Sequence, residues 1–233
     1  MARLLGRGLM DWSFLPQYFP LLFSGTVTTL ELSVLSLVGG GVVGGAIALT
    51  RLVTGPVINA ALAVVVDVVR TTPLLVQLII WYLAPGAVGI SFDPFTASVL
   101  ALSLNAGAFI SEILRGAVLG VPRGQREAAL SVGLSSVYSV VGIELPQAIP
   151  AIAPALVGYY IALIKDTSIA YIVGLLELAR TGSFISNQEF RPIETFLVVA
   201  AIYFVICFPL SRLVPLIDMR MRRTGLAQER LFV

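Results

Sequence analysis

Five stretches of this sequence are apolar over about 20 residues or more, the length a helix needs to cross a bilayer core. They run near 22–49, 57–83, 95–118, 149–176 and 195–216. In lipid every backbone amide and carbonyl needs an internal partner, so runs of this length read as helices. Only 12% of the 233 residues are charged and 58% are hydrophobic, where a soluble domain carries about 25% charged residues. The mean hydropathy is +0.96. The fold class is therefore all-α and integral to a membrane. One domain of five transmembrane helices is expected over 22–218, after an N-terminal segment 1–21 and before a tail 219–233.

Several chemistries drop out early. There is no histidine, which removes His-based metal ligation and His acid–base catalysis. Cys207 is the single cysteine, so no internal disulfide forms, and it reads as a small core or lipid-facing residue. No catalytic set, metal site or nucleic-acid partner is expected. The opening "MARLLGRGLMDWSFLPQYFP" has no uninterrupted apolar run before Asp11, so no cleaved signal peptide is expected there. It suits a short amphipathic piece along the membrane surface.

Orientation follows from arginine placement. With the N-terminus outside, Arg51, Arg115, Arg123, Arg126, Arg212, Arg220, Arg222, Arg223 and Arg230 fall inside. Arg3, Arg7, Arg180 and Arg191 fall outside, and nine against four favours N-out and C-in. The "ARTGSFISNQEFRPIE" stretch is then an external connection, and no internal repeat is visible.

The spans are not uniformly lipid-soluble. In the first, "GGGVVGG" places Gly40 with Gly44 and Gly41 with Gly45 on bare helix faces, suited to close packing or to a mobile seam, packing being the simpler. In the second, Asp67 and Arg70 share a face and can neutralise one another, either to stabilise a kink at Pro73 or to line a pathway. Pro73 frees a carbonyl one turn back, and Thr71 and Thr72 offer hydroxyl partners there. In the third, Asn105 bonds a neighbouring helix or a ligand, while Glu112 and Arg115 form a structural pair near the membrane edge. The fourth interrupts its apolar run with Lys165, Asp166, Thr167 and Ser168. Four consecutive polar residues cannot share one helix face, so some meet a cavity, another helix or a break, and a pathway or gate role is favoured.

Between the third and fourth spans lies "EAALSVGLSSVYSVVGIELPQ". Leu130, Leu134, Val137, Tyr138 and Val141 would share one face of a helix over 127–140. Ala128, Ala129 and Gly133 would give a small-residue surface, and Pro122 and Pro146 punctuate the ends. Such a helix suits docking into a partner's groove. The pattern Glu-Ala-Ala, three residues, Gly133, nine residues, Ile143, then Leu145-Pro146 resembles the EAA loop of bacterial ATP-binding-cassette (ABC) permeases. It fills seven specified positions over twenty residues.

The resemblance extends through "VRTTPLLVQL", "EILRGAV", "GQREAA", "LPQAIP", "LIKDTSIAYIVGLLEL" and "FRPIETFLVVAAIYFVICFPLS", in the order of the polar amino-acid permeases. One departure is "VRTT", where that family usually has Phe-Arg-Gly-Thr before the proline. The resemblance implies the transmembrane domain of a type I importer in the bacterial cytoplasmic membrane, with a coupling loop at about 122–146. Gly124, Glu127, Ala128, Ala129, Gly133 and Leu134 would meet an ATPase subunit. Asp67, Arg70, Thr72, Asn105, Lys165, Asp166, Thr167 and Ser168 would line or gate the pathway. It further implies a second permease copy or paralogue and an external solute-binding protein. No phosphate-binding G-x-x-x-x-G-K-[ST] motif occurs, so no cofactor is expected on this chain, and ATP with Mg is expected on the partner ATPase. A transporter driven by an ion gradient, with Asp67, Lys165 and Asp166 as relay groups, is the alternative and needs no docking helix.

Overall fold

The computed structural model describes residues 11–223, and among them every regular element is helical. Helix α1 (Leu15–Val53) runs 39 residues, about 58 Å at the usual rise, so it extends well beyond a bilayer core of about 30 Å. Its partner through most of that length is α4 (Pro94–Leu119), the most deeply buried helix. The contact is a seam of small residues. A Cβ on Gly40 would stand 2.5 Å from the Ala106 Cβ, and one on Gly44 would stand 2.7 Å from the Gly107 carbonyl oxygen. Gly41 and Gly45 face open space instead. Three of the five glycines, Gly39, Gly40 and Gly44, therefore pack within the chain, and two are left without a neighbour on that side.

The second apolar run is not one span. It divides into α2 (Pro56–Thr71) and α3 (Leu74–Leu83, extended by 3-10 residues to Val88), bent by 100° around Pro73. Proline has no amide to give the Val69 carbonyl one turn back, and it disfavours helical backbone at Thr72. Among the described residues four helices are long and apolar enough to span, or five when the bent pair counts as one.

Asp93 caps α4, its carboxylate accepting from the amides of Phe95 and Thr96 at 2.9 and 3.2 Å and from the Thr96 hydroxyl at 2.6 Å. After α4 comes α5 (Arg123–Ser131), then a single turn α6 (Ser136–Tyr138). A π-helical stretch (Ser139–Glu144) joins it to α7 (Leu145–Asp166), so the fourth spanning helix starts near Ser136, earlier than the sequence implies. Pro146 falls in the first turn of α7, where a missing amide costs little, so it does not end a helix. Beyond Asp166 the winding tightens to 3-10 over Thr167–Val173 and stops at Gly174, whose φ is +93°.

The stretch expected to be an external connection is largely α8 (Leu178–Glu189), tucked between α1 and α9 (Pro192–Arg223). The buried Glu177 carboxylate caps it through the amides of Ala179 and Arg180, at 2.8 and 2.7 Å. Leu178 and Ile185 complete a cluster with Phe14, Leu22 and Val199. The main core lies between α1, α4 and α7, around Leu32, Leu102, Ala106, Ile110 and Leu163. Residues 1–10, Arg230 and most of the tail lie outside the described residues, so the N-terminal surface segment is described only from Asp11, where α1 soon begins.

Candidate functional site

Two regions concentrate the polar and small residues singled out in the sequence. The first is the segment between α4 and α7. The single helix expected over 127–140 does not form: α5 stops at Ser131, and Gly133 turns the chain at φ +82°. The amide of Gly133 donates to the Leu130 carbonyl at 3.0 Å, and that of Leu134 donates to Ala129 at 3.2 Å. This pair of reversed bonds is the Schellman ending, which needs a left-handed residue at the turn. Gly133 is thus a hinge glycine, and no atom of this chain comes within 4 Å of where its Cβ would be.

The break redistributes the expected docking set. Gly124, Glu127, Ala128 and Gly133 are exposed, Leu134 is half-buried, and Ala129 is buried against the chain itself. Leu130, Val132, Val137, Tyr138 and Val141 are exposed on the two sides of the turn. Together they present an apolar, small-residue surface on two short helices.

The second region runs through the membrane-depth polar groups. Asp67 and Arg70 do not form the expected ion pair: none closer than 4.0 Å joins them, and both are exposed. The Arg70 guanidinium lies over the Phe109 ring, 5.2 Å from its centre, and Phe109 stacks on Tyr159 at 5.6 Å. The hydroxyls of Thr71 and Thr72 donate to the carbonyls of Asp67 and Val68, each at 2.7 Å. The carbonyl that Pro73 orphans is Val69, and the Gln77 amide serves it at 2.7 Å while also reaching Thr72 at 2.9 Å. Asn105, buried on α4, donates to the Gln77 oxygen at 3.4 Å, so the helix-contact reading of Asn105 holds in this chain.

At the end of α7 the four polar residues do separate. Lys165 is exposed, Asp166 and Ser168 are half-buried, and Thr167 is buried with its hydroxyl on the Ile164 carbonyl at 2.7 Å. Among the described residues no ion pair within 4.0 Å involves Lys165 or Asp166. The expected Glu112–Arg115 pair forms at 2.8 Å, and Arg51 of α1 joins it, bonding Glu112 and also Asn59 of α2. Sequence reasoning missed Gln77, Arg51 and the Glu177 cap. For Gln77 a signal existed: an amide side chain one helical turn past a proline in an apolar run.

A bundle of apolar helices, with a broken second span and an exposed pair of short helices between two spans, defines a membrane permease subunit. Residues 40–223 match the family of binding-protein-dependent transport system inner membrane components, and the chain belongs to that family. It is 39% identical over 214 residues to the glutamine transport system permease protein GlnP of Escherichia coli (strain K12), covering 91% of this chain and 98% of that protein. It is equally 39% identical over 225 residues, 95% of each chain, to the L-cystine transport system permease protein TcyB of Bacillus subtilis (strain 168). A solved chain described as an amino acid ABC transporter with histidines superposes at a TM-score of 0.82 with 34% identity, covering 91% of this chain and all (100%) of that one. The MetNI methionine ABC transporter shares the fold at a TM-score of 0.72 and 22% identity, over 89% of this chain and 99% of that one. The chain is the permease subunit of an ABC importer, and such subunits are not themselves enzymes.

Proposed function

We propose that this chain forms the translocation pathway for a polar amino acid in the cytoplasmic membrane, with its N-terminus outside and its C-terminus in the cytoplasm. Relatives named for glutamine and cystine, both zwitterions, support the substrate class. A partner ATPase binds ATP and Mg and docks on α5 and α6, through Gly124, Glu127, Ala128, Gly133 and Leu134. A second permease completes the pathway, and a solute-binding protein delivers from outside. The observation that carries the docking reading is the uncovered apolar surface on either side of the Gly133 turn, with Val132 74% exposed. The surface suits a groove on a globular partner better than lipid, because the polar Glu127, Gln125 and Arg123 share the same short helix.

Within the spans, the Arg70 guanidinium lies over Phe109, which stacks on Tyr159, and among the described residues neither Arg70 nor Asp166 has an ion-pair partner within 4.0 Å; both are proposed to face the translocation path. Opposite charges beside aromatic surface suit the carboxylate and ammonium of an amino acid. Lys165, Asn105, Thr72, Thr167 and Ser168 line or gate the same path, while Asp67 lies one turn from Arg70 on α2.

The decisive measurement is ligand-stimulated ATPase activity of the reconstituted complex, scanned over amino acids with the binding protein present. Stimulation by polar amino acids is expected. Co-purification of an ATPase should weaken with Val132→Asp, and Asp166→Ala should lower uptake while leaving the complex assembled. Uptake that persists without any ATPase and collapses with an uncoupler would overturn the importer reading in favour of an ion-gradient transporter.

A further inference from the structure

The last turn of α1 contains a carbonyl that its own helix does not serve in the usual way. The residue four places after Leu52 is Pro56, which has no amide hydrogen to donate. The bond comes from elsewhere: Arg126, on α5, donates its Nη2 to the Leu52 carbonyl oxygen at 2.8 Å. A guanidinium at a helix C-terminus also meets the negative end of the helix dipole. The same side chain reaches a second helix. Its Nη1 lies 4.0 Å from Oε2 of Glu144, whose other oxygen accepts from the Ser139 hydroxyl at 2.8 Å. Glu144 is buried, so Arg126 is the cation that faces it. Close by, Gln147 of α7 donates to Gln125 of α5 at 3.4 Å, and Ala129 is buried beneath α5.

One half-buried guanidinium on a short helix therefore holds the end of α1 and the start of the α6–α7 helix at once. Both are long spanning elements that meet α4, the centre of the bundle. We propose that Arg126 is the positioning residue that carries a displacement of α5 into α1 and α7 together. This rests on the reading that an ATPase acts on α5. A push on α5 without Arg126 would reach the bundle chiefly through the short turns on its two sides, at Gly120–Pro122 and at Gly133. With Arg126 in place, a charge-assisted hydrogen bond to Leu52 and a 4.0 Å ion pair to Glu144 move with it.

The test uses the complete reconstituted complex with ATPase and binding protein, comparing wild type with Arg126→Ala, Arg126→Lys and Glu144→Gln. Arg126→Ala is expected to assemble normally and keep its basal ATPase rate. Its binding-protein-stimulated rate and its uptake per ATP should fall about ten-fold, in the range of ordinary coupling between sites. Arg126→Lys keeps one donor and the charge, so it should recover most of the loss. Glu144→Gln should lose less than Arg126→Ala, because the Leu52 contact survives. Unchanged uptake per ATP in Arg126→Ala would overturn the proposal, as would a Lys variant as impaired as the Ala variant. Loss of the ATPase from the purified Arg126→Ala complex would overturn it too, making Arg126 a docking residue. Should Arg126→Ala fail to reach the membrane, Arg126→Lys and Glu144→Gln singly and together decide: effects that simply add refute a shared strut. Failure of the docking reading is seen separately, as full ATPase association by Val132→Asp.

Discussion

The α1–α4 seam and the α2–α3 pair are built from equally apolar sequence, yet they are held in opposite ways. Along the seam, backbones approach so closely that Gly40, Gly44 and Gly107 leave no room for a Cβ. The bent pair buries just Val66 and Leu78 fully, and keeps its shape through side-chain hydrogen bonds from Gln77. Dispersion contact over a long interface makes the first a fixed frame. The second has most of its surface free for lipid or another subunit, and its geometry rests on a few polar bonds. In a medium without water, such bonds are costly to lose.

The largest loss is expected at the seam. Gly44→Leu should lose about 3 kcal/mol or more through overpacking and give little folded protein. Gly45→Leu, one residue further on and facing open space, should be purified in normal yield with an unchanged melting temperature in detergent. Equal effects would refute the seam. At the bend, Gln77→Leu leaves the Val69 and Thr72 carbonyls and Asn105 without a partner. A loss of about 2 kcal/mol is expected, read as a lowered melting temperature with uptake reduced more than yield. Gly133→Ala sits outside both regions and meets no atom, so its cost is the left-handed backbone alone, about 1 kcal/mol. Local protection from hydrogen exchange at Leu134 should fall while the global melting point barely moves.

The smallest effect lies just before the N-terminal end of α1. Asp11 is held below the usual carboxylate range, at about 2, by hydrogen bonds from Ser13 first and then from Arg191. A lowered carboxylate pKa stabilises the fold above its unfolded value, and that contribution disappears as pH falls through the folded one. Asp11→Asn should therefore cost the same small amount at pH 7 and pH 5, a difference that shrinks from about pH 4 downward and is mostly gone at about pH 2. A melting series across that range checks it.

Long apolar runs were legible because their signal is length itself. Both ends of α4 fall within a residue of their expected places. The EAA pattern was legible as a family mark, but its geometry was not. Reading 127–140 as one helix ignored a glycine placed where a helix could end, although the apolar spacing on both sides looked continuous. Helix α8 was hidden because its sequence is polar and its burial comes from α1 and α9 rather than from lipid. The Asp67–Arg70 pair failed for a related reason. Spacing of three places two side chains on one face, but the guanidinium lies over the Phe109 ring of α4 instead. Contacts between distant helices, such as Arg51 with Glu112, carry no local signal at all.

The two proline-orphaned carbonyls have a consequence for the order in which the chain is made. Gln77 leaves the ribosome eight residues after Val69, so the bend at Pro73 can be completed almost as soon as it enters the membrane. Leu52 waits seventy-four residues for Arg126. During that interval three further helices are synthesised while the end of α1 lacks its donor. The end of α1 is thus finished by a late-arriving part, and translation paused before residue 126 should leave it open to protease or solvent exchange.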